Sequence, residues 1–222
     1  MRKSAPEIGG PEASERPIFY FDFSSPECWL AAERVNHELP VVPVWTPVRV
    51  SGSRGSPSTE ELVDLDRRGA APGLPAIRLP DPWPDDLDLA LRAATFAAAS
   101  GRVVAFSLAA LRQAFAAGRD LSEVDNVLIA AAACELHPRA VLKGIESRST
   151  AERLRAASAE AAERGVREVP ALVAHGCVLQ GSAAVGDATP AARYLLSVAR
   201  GEIDLDMDAA RALHEGRGER LP

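Results

Sequence analysis

The chain is poor in the features that mark several common functional classes. Its 222 residues hold only three cysteines, Cys28, Cys134 and Cys177, an odd number too widely spaced for the disulfide framework of a small secreted domain. Basic residues do not dominate either. The formal charge is -6, aromatics make up 5%, and no basic stripe with interleaved aromatics suggests a nucleic-acid footprint. No run is both long and apolar enough to span a bilayer, and the opening MRKSAPEIGGPEASERP lacks the apolar core of a signal peptide. These absences lead us to expect a cytoplasmic protein with a small-molecule substrate and neither nucleic acid nor membrane as partner. Residues 51–58, SGSRGSPS, have none of the spacing of a phosphate-cradling loop. A triad serine is not readable, because no histidine and carboxylate partners accompany one.

What the chain does have is enough apolar content, 47%, to bury a core on the order of 70% of its unfolded surface. Its most informative stretch is residues 18–30, IFYFDFSSPECWL. The run Ile18 to Phe23 has strand character, and Ser24-Ser25-Pro26 is a helix start with proline at the first helical position. Beyond it Cys28, Ala32, Val35 and Leu39 recur at helical spacing as one apolar stripe, with Glu27, Glu33 and Arg34 on wetter sides. Ser25 therefore stands where unpaired N–H groups and the helix dipole favour negative charge. A serine there can cap the helix, and it can also donate a charge-assisted hydrogen bond to a thiolate, carboxylate or enolate.

The pattern FYFDFSSPECWLAAERV resembles the opening of the thioredoxin-fold group that contains DsbA-like oxidoreductases, kappa-class glutathione transferases and 2-hydroxychromene-2-carboxylate isomerases. In the oxidoreductases the junction carries Cys-Pro-x-Cys, and in the isomerase and transferase branch serine replaces the first cysteine. Ser25-Pro26-Glu27-Cys28 points to the second branch. The resemblance extends over Trp45-Thr46-Pro47-Val48, the proline-rich GLPAIRLPDPWPDD of residues 73–86, and Val169-Pro170.

The pattern along the rest of the chain agrees. VVPVWTPV, residues 41–48, reads as a second strand parallel to the first, completing a βαβ unit. Apolar residues at helical spacing predict helices over 87–100, 103–117, 122–136 and 138–145, with Gly101 and Gly118 as stops. A further helix over 150–164 has a capping box in Ser149 and Glu152 and ends at Gly165. Cys134 reads as a small core residue, and His137 as a surface or packing residue. Glu168 to Ala174 and Cys177 to Gln180 read as strands around a His175-Gly176 turn, and one histidine and one cysteine there are too few for a closed zinc site, so no metal is expected. Thr189 and Pro190 start a last helix, 189–200.

The expected fold is α/β, a thioredoxin-like fold with a large α-helical insertion of the DsbA-like kind. Its expected division is a flexible leader 1–16, a thioredoxin-like domain from 17–72 and 165–200, a helical insertion 73–164 and a tail 201–222. The resemblance implies a cis-proline at Pro170, and a site in which Ser25 is catalytic and Val169, Pro170, Gly181, Ser182 and Ser56 bind a thiol ligand. The cofactor it implies is glutathione or another low-molecular-weight thiol, and the expected assembly is a homodimer. Three departures are visible: Ser56 stands where the family often has asparagine, Ala183 where an aspartate would grip the γ-glutamyl group, and Glu27 where the isomerase branch tends to carry an aromatic. The expected function is thus a thiol-cofactor-dependent isomerase or transferase. The alternatives are a thiol-disulfide oxidoreductase acting through Cys28 and a non-catalytic binding member of the fold.

Overall fold

In the computed structural model, which describes residues 16–39, 42–50, 55–70, 73–174, 177–181, 184 and 197, the aromatic run lies inside the sheet. Strand β1 (Ile18–Phe21) sits between β2 (Val44–Pro47) and β3 (Ala171–Ala174), and β4 (Cys177–Gln180) follows β3, giving the order β2-β1-β3-β4. Consecutive side chains of a strand face opposite sides. Phe19, Tyr20 and Phe21 are nonetheless all at most 1% exposed, so both faces of β1 are covered. On one face Phe19 and Phe21 meet Trp45 edge-on at 4.9 and 5.6 Å, a favoured aromatic geometry. The Trp45 indole N–H donates to Asn36 Oδ1 at 3.1 Å, tying this face to helix α1 (Pro26–Glu38).

The sheet is mixed. β1 and β2 run parallel with α1 as crossover, Ile18 opposite Val44 and Phe21 opposite Pro47. β3 returns antiparallel to β1, Tyr20 opposite Ala171, and pairs antiparallel with β4. Between β2 and β3 the chain makes α2 (Thr59–Ala70), α3 (Asp88–Ala99), α4 (Val103–Phe115), α5 (Val124–Ala133), α6 (Pro138–Glu146) and α7 (Arg148–Glu163). Among the described residues this is a four-stranded sheet with seven helices, the expected thioredoxin-like fold with a helical insertion.

Alanine-rich α3 is the hub of the insertion and contacts α4, α5, α6 and α7. Its approach to α6 is close: a Cβ on Gly144 would lie 2.4 Å from the Phe96 ring. Gly101 and Gly118 adopt φ of 69° and 67°, the left-handed region that glycine occupies without steric cost, and they turn the chain after α3 and α4. The proline-rich segment is neither helix nor strand, and is strapped down by Ile77 N–H to Asp66 Oδ1 (2.7 Å) and Arg78 N–H to the Phe115 carbonyl (2.8 Å). No described helix is long and apolar enough to cross a membrane.

Several boundaries differ from the sequence reading. β2 spans 44–47 rather than 41–48, and β3 begins after Pro170 rather than at Glu168, because proline lacks the N–H a ladder requires. α5 ends at Ala133, where Cys134 caps it and Glu135 takes φ 62°. Ser149 and Glu152 do not form a capping box. Ser147 closes α6 and opens α7 with no loop between, which starts α7 at Arg148, and Glu152 instead accepts from Arg148 Nε at 2.8 Å. His137 is the N-cap of α6, its Nδ1 accepting from the Arg139 N–H at 3.2 Å. Helix α2 was not anticipated. The turn at 175–176, the expected last helix 189–200 apart from residue 197, the leader apart from Arg16, and the tail lie outside the described residues.

Candidate functional site

The site begins where β1 ends. Asp22, in the middle of the aromatic run, is 9% exposed. Its carboxylate accepts the Ser24 N–H at 2.9 Å and the Ser24 hydroxyl at 2.8 Å. An aspartate bonding the backbone two residues on makes a local turn, and this one ends the strand and delivers the chain to α1. Ser25 follows as N-cap in extended conformation, with Pro26 at the first helical position, and its Oγ accepts the Glu27 N–H at 3.2 Å. Capping is thus realised. It uses one lone pair of the hydroxyl and leaves its proton available.

Cys28 lies one turn further on, fully buried. Its thiol faces Asp22 Oδ1 at 3.8 Å. Burial first, and the negative charge of Asp22 second, push its pKa well above the ordinary thiol value. At neutral pH it is a protonated, sheltered thiol, the opposite of the exposed, low-pKa cysteine that redox chemistry uses. Cys134 is 5% exposed, its thiol against the carbonyls of Ala130 and Ala131 at 3.2 Å.

The space in front of Ser25 is a cleft of about 530 Å³ between the start of α1 and α2. Ser24, Ser25, Pro26 and Glu27 form one wall, and Gly55, Ser56 and Pro57 with α2 form the other. The start of α2 is fixed by a reciprocal capping box: Ser58 N–H donates to Glu61 Oε2 at 2.7 Å, and Glu61 N–H donates to Ser58 Oγ at 3.3 Å. α2 adds Glu60, Glu61, Asp64, Leu65 and Arg68 to the lining. Glu27 reaches across the cleft to Arg68, Oε1 to Nη1 3.0 Å, with side chains 14% and 10% exposed, and Asp64 lies 3.6 Å from the same guanidinium. The position where the isomerase branch tends to carry an aromatic is here an ion-pair strut.

Val169 and Pro170 are both buried, and the peptide bond between them is cis. The β1–β3 register, extended beyond Tyr20 and Ala171, places them beside Phe21 and Asp22, at the end of β1 from which Ser25 departs. Gly181 N–H donates to the Pro170 carbonyl at 2.8 Å. Its φ is 56°, and an added Cβ would lie 2.7 Å from a Glu168 carboxylate oxygen. Gln180 holds the approach to Pro170: its Oε1 accepts the N–H groups of Arg167 (2.5 Å) and Glu168 (3.0 Å), and its Nε2 donates to the Gly165 carbonyl at 3.3 Å.

The structure therefore brings Ser25 and Ser56 to one cleft and leaves Cys28 out of it. Val169, Pro170 and Gly181 stand at the same end of the sheet but do not line that cleft, and Ser182 lies outside the described residues. The sequence reading missed Asp22, Gln180 and the carboxylates and arginine of α2. The signals for two of these were present, an aspartate two residues before a serine at the end of the aromatic run, and Ser58-x-x-Glu61. Among the described residues no group of three or more histidine, cysteine, aspartate or glutamate side chains could hold a metal.

A family profile, the DSBA-like thioredoxin domain, matches residues 18–191. No curated protein sequence matches the chain. Among solved structures, a 2-hydroxychromene-2-carboxylate isomerase superposes with a TM-score of 0.68 at 19% identity, covering 84% of this chain and 94% of the isomerase. A probable DsbA oxidoreductase from Streptomyces coelicolor gives 0.63 at 22% identity, over 94% and 92%. DsbA from Pseudomonas aeruginosa gives 0.55 at 14% identity, over 89% and 94%. At such identities these likenesses speak to the fold.

Proposed function

Because the chain belongs to the DSBA-like thioredoxin domain family, we propose that it is an enzyme that works with a small-molecule thiol, as an isomerase or transferase. In this reading Ser25 donates its hydroxyl proton to the sulfur of that thiol. The observation that carries it is the placement of Ser25: N-cap of α1, 2% exposed, and lining the 530 Å³ cleft. A hydrogen bond from a buried hydroxyl and the positive end of a helix both favour a thiolate over a thiol. A bound thiolate supplies the nucleophile for addition to an electrophilic, unsaturated substrate. The chain's own groups hold and orient it: Ser25 at the sulfur and Ser56 across the cleft.

Glutathione carries two carboxylates and one ammonium, and the described lining offers its carboxylates only Arg68, a guanidinium already bonded to Glu27. A low-molecular-weight thiol with fewer carboxylates suits the lining better. The oxidoreductase reading through Cys28 is the weaker one, since a buried, protonated thiol meets no substrate disulfide. A binding-only role would keep the cleft without any dependence on the serine.

The test is thermal unfolding with and without millimolar thiols, on the wild type and on Ser25→Ala. A ligand at about a hundred times its dissociation constant adds roughly 2.7 kcal/mol. Ser25→Ala lowers stability by about 1 kcal/mol through the lost cap, so the ligand-induced increment is compared rather than the absolute midpoint. The increment is expected in the wild type and absent in Ser25→Ala. If no thiol stabilises the wild type, the reading fails.

A further inference from the structure

A thiol that is held as a thiolate must give its proton to some other group. Ser25 cannot pass it on: its own proton faces the sulfur, and its Oγ is bonded to the Glu27 N–H, which accepts nothing. Cys28 lies outside the cleft, and its buried thiol already keeps its proton.

The neighbouring hydroxyl has the opposite polarity. Ser24 also lines the cleft, and its Oγ donates to Asp22 Oδ2 at 2.8 Å. With that proton spent, the Ser24 oxygen can only accept from a ligand. Asp22 Oδ1 takes the Ser24 N–H at 2.9 Å, so one short turn fixes both halves of the pair. Adjacent serines thus offer a donor, Ser25, and an acceptor, Ser24, and behind the acceptor stands a carboxylate only 9% exposed. A thiolate and an ionised Asp22 with one hydroxyl between them would be like charges in a largely buried place, and a single shared proton relieves that. Resting on the thiol reading above, we infer that Asp22 and Ser24 form a proton relay for the bound thiol. The S–H bond breaks, its proton passes to Ser24 Oγ as the Ser24 proton passes to Asp22 Oδ2, and the sulfur keeps the electron pair. Net charge is unchanged, a carboxylate before and a thiolate after. The Cys28 thiol also faces Asp22, 3.8 Å from Oδ1, and being protonated it does not compete for the proton.

A proton count tests this, with 2-mercaptoethanol as the probe because its thiol is its only titrating group. Calorimetry in buffers of different ionisation enthalpy gives the protons released on binding, and ultraviolet absorbance of the thiolate shows whether the bound sulfur is ionised. The wild type should show the thiolate with almost no proton released. Asp22→Asn keeps an oxygen for the Ser24 N–H, but its amide takes no proton, so release should rise to about one proton per bound thiolate. Ser24→Ala leaves the carboxylate and breaks the path, and should raise the count in the same way, while Ser24→Thr should restore the wild-type count. A purely structural role for Asp22 would change stability or affinity without moving it. A wild type that releases a proton with each thiolate, or variants whose count matches that of the wild type, overturns the relay and leaves the thiol site standing. If the wild type shows no thiolate, the reading of Ser25 itself fails and the relay falls with it.

Discussion

Helix α1 buries seven of its 13 residues, among them Trp29 and Leu30, and packs against α4 and α2. Helix α2, which forms the other wall of the same cleft, buries Leu65 and little else, leaving Val63 66% exposed. α1 is placed by the core. α2 is placed by a few polar links: the Ser58–Glu61 box, the Glu27–Arg68 strut and the bond from Ile77 N–H to Asp66. Gly69 lets it close on α1, since a Cβ there would come 3.3 Å from Leu30. The serine proposed for chemistry thus stands on a wall that packing fixes, and most of the cleft's charged side chains stand on one that packing hardly constrains. Changes on α2 should cost the fold little.

The largest effect expected from this contrast is in the core beneath α1. Phe21→Ala removes a ring that packs on Phe19, Phe23 and Trp45 and should cost about 3–5 kcal/mol in urea unfolding. Val63→Ala on α2 should stay within about 0.5 kcal/mol, and equal losses would break the comparison. Next is the strut. Glu27→Gln leaves Arg68 without its closest cleft partner and should cost about 2 kcal/mol, and native hydrogen exchange should quicken in α2 while α1 stays protected. Comparable quickening in α1 would show that the walls are not held independently.

A smaller effect comes from the outer side of α1. Burial acts to raise the pKa of Glu33, but the two bonds from Arg112, both 2.6 Å, and that from the Trp29 indole at 2.9 Å outweigh it, and the net shift is downward. A lowered folded-state pKa gives stability that is present above the ordinary glutamate range and is lost as pH falls through the folded value. Glu33→Gln should therefore cost about 1 kcal/mol at pH 7 and flatten the acid limb of the stability curve, and an unchanged limb would remove this pair from the account. The smallest effect should be at Cys28. A thiol reagent at pH 7.5 should label it no faster than the protein unfolds, and rapid labelling would restore the oxidoreductase reading.

The same contrast decided what the sequence made legible. α1 could be read because Ser25 and Pro26 mark its start and Cys28, Ala32, Val35 and Leu39 trace its buried stripe. α2 carries only a short stripe, Leu62, Leu65 and Gly69, with charged residues filling the rest of its length, and its clearest sequence mark was the Ser58–Glu61 spacing. Ser25 was singled out by the junction and Ser56 by the family resemblance alone, whereas nothing in the sequence singled out Arg68. Its role depends on Glu27, 41 positions earlier, and only the packing of the two helices brings them together. The sheltered state of Cys28 was readable from its place on the apolar stripe, and the turn made by Asp22 had its mark in the serine two residues on, but the approach of Asp22 to the Cys28 thiol depends on how strand and helix meet. β3 starts late for a reason that was visible, the proline at its head.

The amide of Gln180 has a bearing on the order in which this molecule comes together. It lies in the final described strand, yet it gathers three backbone groups from residues 12 to 15 positions earlier. The segment ahead of Pro170 is held at its start by the end of α7, through Gly165 and Val166 N–H to the Ala162 and Ala161 carbonyls, but its Arg167 and Glu168 N–H groups settle only when the β3–β4 hairpin has closed over them. The end of the sheet beside Ser25 thus depends on a residue that never touches the cleft. A lesion at position 180 would register as a loosened loop at 165–168 rather than a damaged strand, and a search confined to the serine's neighbourhood would overlook its origin.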